Sequence, residues 1–369
     1  MCVAALGSPV GEKMEEFVKA GEIAGAVTVV ADKAGILDLA TAGFSDSESQ
    51  KPMPEDALFW IASMSKPVTG TAVMMMVEEG KISVDEPVST YLPEFKDLKN
   101  AAGERVEITL RHCLTHTGGL SELTPEEDST IQTLDELAKI VAKKPAQFPA
   151  GEKWQYSQTG INVAARVVEV ASGKNFSDFL QERLFDPLGM KDTGFYPDME
   201  LQKRLATSFK KGADGKLEAT PVRNFDMEGL AARKTYPRGN GGLFSTAPDY
   251  SKFLHMILNG GELDGKRYLK EESVRKMTSV QSGDVVTGFT PGNGWGLGWC
   301  VVRQPQGVSE KLSPGSFGHG GAYGTQAWLD PVKGRIYLLM VQRADFPNAD
   351  DSTVRKAFQE IGAALPAKQ

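Results

Sequence analysis

The sequence predicts an α+β fold in which one antiparallel sheet, flanked by helices, is built from both ends of the chain around a large, mainly helical insertion. Two observations carry that prediction. Strand-like apolar runs gather before residue 45 and again after 290, and the stretch between them is dominated by helical periodicity. The expected division is residues 1–80 plus 285–369 for the sheet domain and 81–284 for the helical domain, with the active cleft between them.

Taken in order, residues 12–23 carry an apolar stripe (Met14, Phe17, Val18, Ile23) at helical spacing. The runs 24–31 and 35–42 read as a hairpin turning at Asp32-Lys33-Ala34-Gly35. After Pro52-Met53-Pro54, an apolar lead-in (Phe59-Trp60-Ile61-Ala62) enters a helix over 63–79 that Gly80 stops. Pro67 falls in its first turn, where a missing N–H costs least. Helices follow over 133–143, 159–172, 176–184, 248–258 and 271–278, with 124–130 and 210–215 as polar loops. The period then returns to strands over 295–303, 316–320, 325–330 and 335–343, and a helix over 352–363 closes the chain. Met74-Met75-Met76 reads as core packing.

With 369 residues, 41% of them hydrophobic and 24% charged, the chain can bury a substantial core and falls in no disordered or low-complexity class. The formal charge of -7 opposes a nucleic-acid partner, which needs a basic stripe. The longest apolar runs, such as 336–341, are too short to cross a membrane. Cys2, Cys113 and Cys300 form neither an even disulfide framework nor a CxxC pair, which suits a reducing, cytoplasmic setting. The N-terminus lacks a basic n-region and a long apolar h-region; a removed leader would instead place the protein in the periplasm or outside the cell.

Several catalytic signatures are missing: the G-x-S-x-G elbow, the phosphate-binding G-x-x-x-x-G-K-[ST] loop, G-x-G-x-x-G and H-E-x-x-H. S-x-x-K occurs three times, at Ser63-Lys66, Ser208-Lys211 and Ser273-Lys276. Ser208 beside a basic turn and Ser273 on a charged helix face read as solvated surface. Ser63 instead stands at a strand-to-helix junction, where positions i and i+3 share a face and free N–H groups suit a developing oxyanion. An ordinary helix cap is the competing reading of that serine. Tyr156-Ser157-Gln158 puts a tyrosine just ahead of a helix, and Phe317-Gly318-His319-Gly320-Gly321-Ala322 puts glycines in a strand, a sign of close backbone approach. His112 and His116, at i and i+4, have metal-ligand spacing but no third ligand nearby, and no metal site is expected.

Ser63-x-x-Lys66, Tyr156-x-Gln158 and His319-Gly320-Gly321 together resemble, in order and approximate spacing, the three motifs of the serine β-lactamase and DD-peptidase superfamily. The similarity is greatest to the class C and family VIII carboxylesterase branch and spans almost the whole length. The stretches 110–120, 241–249 and 296–299 agree with it. Two departures stand out. Class C enzymes typically carry Lys-Thr-Gly where this chain has His319-Gly320-Gly321, and Tyr-x-Asn where it has Gln158. A lysine is a permanent cation that holds a substrate carboxylate, whereas an imidazole with a reference pKa near 6.5 is largely neutral at pH 7.

The resemblance implies a β-lactamase/transpeptidase-like fold and cofactor-free acyl transfer. Ser63 would be the nucleophile, with Lys66 and Tyr156 sharing the proton work. The N–H groups of Ser63 and Ala322 would form the oxyanion hole, and Gln158, His319, Gly320 and Gly321 would line the substrate site. The expected activity is hydrolysis of short carboxylic esters, small molecules being the partners. A β-lactamase, DD-peptidase or D-aminopeptidase-like amidohydrolase is the alternative, and a catalytically silent peptide-binding module of the same fold is the alternative of another class. The sequence leaves the oligomeric state unspecified.

Overall fold

A computed structural model describes residues 7–46, 49–222, 225, 227–233 and 235–366; Cys2 lies outside them. Its central feature is an eight-stranded antiparallel sheet. In chain order the strands are β1 (Gly25–Asp32), β2 (Gly35–Asp46), β3 (Lys51–Pro52), β4 (Asn293–Trp295), β5 (Cys300–Val302), β6 (Phe317–Gly320), β7 (Gln326–Asp330) and β8 (Arg335–Met340). They lie in the order β4-β5-β6-β7-β8-β1-β2-β3, so the N-terminal hairpin docks on the last strand through pairs such as Val29 with Leu338. The β1–β2 turn is set by Asp32, whose carboxylate accepts from the N–H groups of Ala34 and Gly35. Asp330 does the same for Val332 and Lys333 between β7 and β8.

The run Ile336–Val341 is apolar at every position because the sheet is covered on both faces. Ile336, Leu338 and Met340 join one core cluster, while Tyr337, Leu339 and Val341 join another. The second cluster lies under α1 (Pro9–Lys19) and the closing helix, α5 (Thr353–Ala364). The first extends into the helical part, through α2 (Ser65–Glu78), α3 (Gln158–Ser172) and α4 (Ala247–Leu258). Met74, Met75 and Met76 are buried in it. Among the described residues no helix is long and apolar enough to cross a membrane.

Four local expectations need correction. The first helix begins earlier, at Pro9, because Ser8 caps it by accepting from Gly11, and it ends before Gly21, whose φ is +68°. Residues 124–130 form a short helix, Pro125–Thr130, closed by a reciprocal bond pair between Thr124 and Glu127. Residues 295–303 are two strands rather than one, since Gly298, at φ +83°, turns the chain against α2. Ser208 and Ser273 are buried rather than solvated, at 3% and 8% exposure. Their lysines do not reach back to them: Lys211 pairs with Glu22 at 2.8 Å, and Lys276 lies 3.9 Å from Asp85.

Candidate active site

Ser63 does not sit on α2 itself. It occupies a single 3-10 turn, Ala62–Met64, that feeds the helix starting at Ser65. Ala62 takes a left-handed φ of +47°, a strained conformation of the kind concentrated at functional sites. The turn is pinned from several sides. Ile61 N donates to Leu243 O at 3.0 Å, Ser65 Oγ to Ala62 O at 2.7 Å, and Tyr250 Oη to Met64 O at 2.8 Å. Pro67, third in the helix, lacks an N–H where none would be bonded within the helix.

Lys66, with no exposed surface, reaches Ser63 Oγ at 3.0 Å, Gln158 Oε1 at 2.8 Å and Asn240 O at 2.7 Å. Each of the three atoms is an acceptor to which an ammonium can donate. Its charge also lies over the Tyr156 ring, 4.6 Å from the centroid. Tyr156 precedes the cap of α3, where Ser157 Oγ accepts from Gly160 and the Glu122 carboxylate accepts from the N–H groups of Gln158 and Thr159. That carboxylate complements the positive end of the helix dipole.

The strand motif closes the other side. Gly321 is required by close approach: a Cβ there would lie 1.9 Å from Thr325 Oγ1 and 2.7 Å from Ile61 O. Arg355, buried in α5, donates to Gly321 O and Thr325 O and so ties this turn to the closing helix. His319 Nδ1 is 2.7 Å from Gly320 O, an atom that only accepts, so Nδ1 carries the proton and Nε2 presents a lone pair to Tyr156 Oη at 3.3 Å. Burial, with Lys66 nearby, drives the His319 pKa down to about 3, leaving the ring neutral. Burial likewise pushes the Tyr156 phenol above its ordinary range, opposed by a hydrogen bond with Ser63. With the Tyr156 proton directed to His319, Ser63 donates to Tyr156. The bonds therefore run one way, from Lys66 to Ser63 to Tyr156 to His319.

Ser63, Tyr156, Gln158, His319, Gly320, Gly321 and Ala322 share one cavity of about 350 Å³, walled by Phe289, Trp295, Trp328 and Phe346. Every expected site residue except Lys66 lines it, and Lys66 lies directly beneath. A second, polar cavity of about 400 Å³ meets it at Gln158 and is lined by Glu122, Asp128, Arg238 and Asn240. Cys300 also lines the apolar cavity, but burial raises its thiol to about 12, which removes it as a nucleophile. Among the described residues no group of three or more His, Cys, Asp or Glu could hold a metal ion. His112 Nδ1 accepts from the Thr109 backbone N–H, and His116 Nδ1 accepts from Ser157 N.

Two contributors escaped the sequence analysis. Asn240 gives its carbonyl to Lys66 and its amide N–H to Gln158 Oε1; the adjoining glycines at 239, 241 and 242 were the available signal. Glu122 had none, because only folding brings it to the start of α3.

Known proteins resemble this chain over nearly its whole length. The family model described as Beta-lactamase matches residues 10–360. The chain belongs to the beta-lactamase family. Among its relatives in that family, Protein Rv1367c of Mycobacterium tuberculosis (strain H37Rv) is 32% identical, covering 89% of this chain and 88% of that protein. Esterase EstB of Burkholderia gladioli is 29% identical, covering 92% and 91%. The solved structure of EstCE1, described as a hydrolase with promiscuous acyltransferase activity, superposes with a TM-score of 0.82 at 25% identity, covering 97% of each chain. This member of the beta-lactamase family is a serine hydrolase of the β-lactamase fold with esterases among its relatives.

Proposed function

We propose that this protein is a carboxylesterase that cleaves short-chain esters through an acyl-enzyme on Ser63. The observation that carries the reading is His319: a neutral imidazole stands where related β-lactamases hold a cation, in a cavity walled by four aromatic rings. Such a site favours an uncharged, apolar ester over a carboxylate-bearing lactam. Similarity to EstB and EstCE1 supports the same choice.

In the proposed mechanism Ser63 Oγ attacks the ester carbonyl as its proton passes to Tyr156 Oη, the phenol turning its own proton from His319 to the ester's leaving oxygen in the same step, so that it never carries two protons. Lys66 stabilises the charge developing on Oγ. The N–H groups of Ser63 and Ala322 receive the carbonyl oxygen, each such donor being worth about 3 kcal/mol. Water then repeats the sequence against the acyl group.

The test is one panel of p-nitrophenyl acetate and butyrate, a chromogenic cephalosporin and a D-Ala-D-Ala peptide, run on wild type and Ser63→Ala. Ester turnover that vanishes in the variant is expected, with a fluorophosphonate adduct mapping to Ser63. Cephalosporin turnover as fast as that of short esters would transfer the assignment to the amidohydrolase reading. A protein that turns over nothing and takes no adduct would be a silent binding module.

A further inference from the structure

Tyr156 belongs to no helix or strand, so contacts with other parts of the chain must fix its hydroxyl against Ser63. The backbone N–H groups of its two neighbours in the chain both end on one residue. Gln155 N donates to His116 O at 2.9 Å, and Ser157 N donates to His116 Nδ1 at 3.1 Å. The His116 ring also lies against the tyrosine itself, with centroids 4.5 Å apart.

His116 is held for this task at some conformational cost. It is a non-glycine residue at φ +63°, in the left-handed region, and it is 1% exposed. Because Nδ1 accepts from Ser157, the ring proton resides on Nε2. That N–H has no hydrogen-bond partner among the described residues and sits among the rings of Trp154, Tyr156 and Trp295. Burial, reinforced by the charge of Lys66, holds the His116 pKa well below its ordinary value. The ring is therefore neutral across the working pH range, and the lone pair offered to Ser157 persists.

We infer that His116 is a positioning residue for the reaction: it clamps the backbone N–H groups of Gln155 and Ser157, the two neighbours of Tyr156 in the chain, and braces the tyrosine ring, thereby setting the phenol oxygen against Ser63 Oγ. The inference rests on the assignment of Ser63 and Tyr156 to acyl transfer. It separates His116 from a histidine that only fills the core. A core filler acts on stability, whereas a clamp acts on the rate at which Ser63 is acylated, and a displacement near 1 Å costs about 100-fold.

The experiment compares His116→Gly and His116→Asn in the full chain. Both tolerate the left-handed backbone. Only asparagine offers a side-chain acceptor to Ser157 N. For each folded protein the rate of Ser63 labelling by a fluorophosphonate is measured, together with kcat and KM for p-nitrophenyl butyrate. The glycine variant is expected to lose about 10- to 100-fold in labelling rate and kcat with KM changed less than about threefold, and asparagine to recover most of that loss. A folded glycine variant that labels within twofold of wild type overturns the inference, as does an asparagine variant no faster than glycine. Should glycine fail to fold, His116→Ala, which also lacks the acceptor, replaces it in the same comparison and is read against the same limits. A wild type that labels at Ser63 but hydrolyses no ester defeats the esterase reading alone, since the labelling ratios among the variants still report on His116.

Discussion

Lys66 Nζ stands over the face of the Tyr156 ring, 4.6 Å from its centroid. Both side chains also engage the Ser63 hydroxyl, Lys66 as a donor at 3.0 Å and Tyr156 as its hydrogen-bond partner. The cation, the phenol and the nucleophile therefore share one electrostatic environment, and the charge state of each depends on the other two. Removing either Lys66 or Tyr156 is expected to lower kcat by about 10³-fold or more. The Lys66→Ala/Tyr156→Phe double variant should lose far less than the product of the single losses. Steady-state kinetics on the four proteins of this cycle measure the coupling, and multiplicative losses would show two independent groups.

His319→Lys tests the choice of substrate. The native ring is neutral, with a pKa near 3, and lies in the wall of the apolar cavity. A lysine there would present a charge to a substrate carboxylate in a partly desolvated cleft. The ratio of kcat/KM for a cephalosporin to that for p-nitrophenyl butyrate should rise about tenfold, the equivalent of roughly 1.4 kcal/mol. Total activity should fall, because the new cation would crowd Lys66 and remove the acceptor at Tyr156 Oη. An unchanged ratio would mean that position 319 does not discriminate between the two substrates.

The three motifs were legible in the sequence because their residues are close in the chain: Ser63 with Lys66, Tyr156 with Gln158, His319 with its glycines. The sheet was legible because strands buried on both faces leave unbroken apolar runs such as 336–341. What failed depended on distant contacts. The turn that splits 295–303 exists because Leu297 and Gly298 press against α2, and no local pattern records that pressure. Ser208 looked solvated because its neighbours are charged, yet its own side chain turns inward. Glu122 and Asn240 reach the site from 36 and 82 residues away from Gln158, beyond the range of any spacing rule.

Acid should weaken the fold before the carboxylates titrate. His116 and His319 are both neutral in the folded protein, their pKa values driven down by burial, the latter to about 3. In the unfolded chain each returns to about 6.5. Between those values the unfolded state binds more protons, so stability is complete above pH 6.5 and is lost as pH falls toward the folded values. The slope is about 1.4 kcal/mol per pH unit for each histidine. Urea midpoints should therefore fall between pH 7.5 and 5.0, and His319→Gln should flatten part of the decline. A midpoint that held level over this interval would contradict the neutral assignment.

Gly70→Ala tests how α2 is seated and, through it, the placement of Lys66. Gly70 lies one turn beyond Lys66, and a Cβ at its position would lie 2.1 Å from Leu297 O, a backbone atom that cannot swing aside. On the other side of the same contact, Gly298 approaches Lys66 O so closely that a Cβ there would be 2.6 Å away. These two glycines let the turn between β4 and β5 lie directly on the helix, and that turn in part fixes the depth at which Lys66 enters the site. In an exposed helix alanine would stabilise relative to glycine by up to about 1 kcal/mol. Here overpacking should reverse the sign, lowering stability by about 1–3 kcal/mol. Because the strain falls on the segment carrying Lys66, ester kcat should drop more than KM changes. Chemical denaturation and steady-state kinetics on the purified variant give both quantities, and a stabilised protein with wild-type kcat would show that the contact is not a tight one.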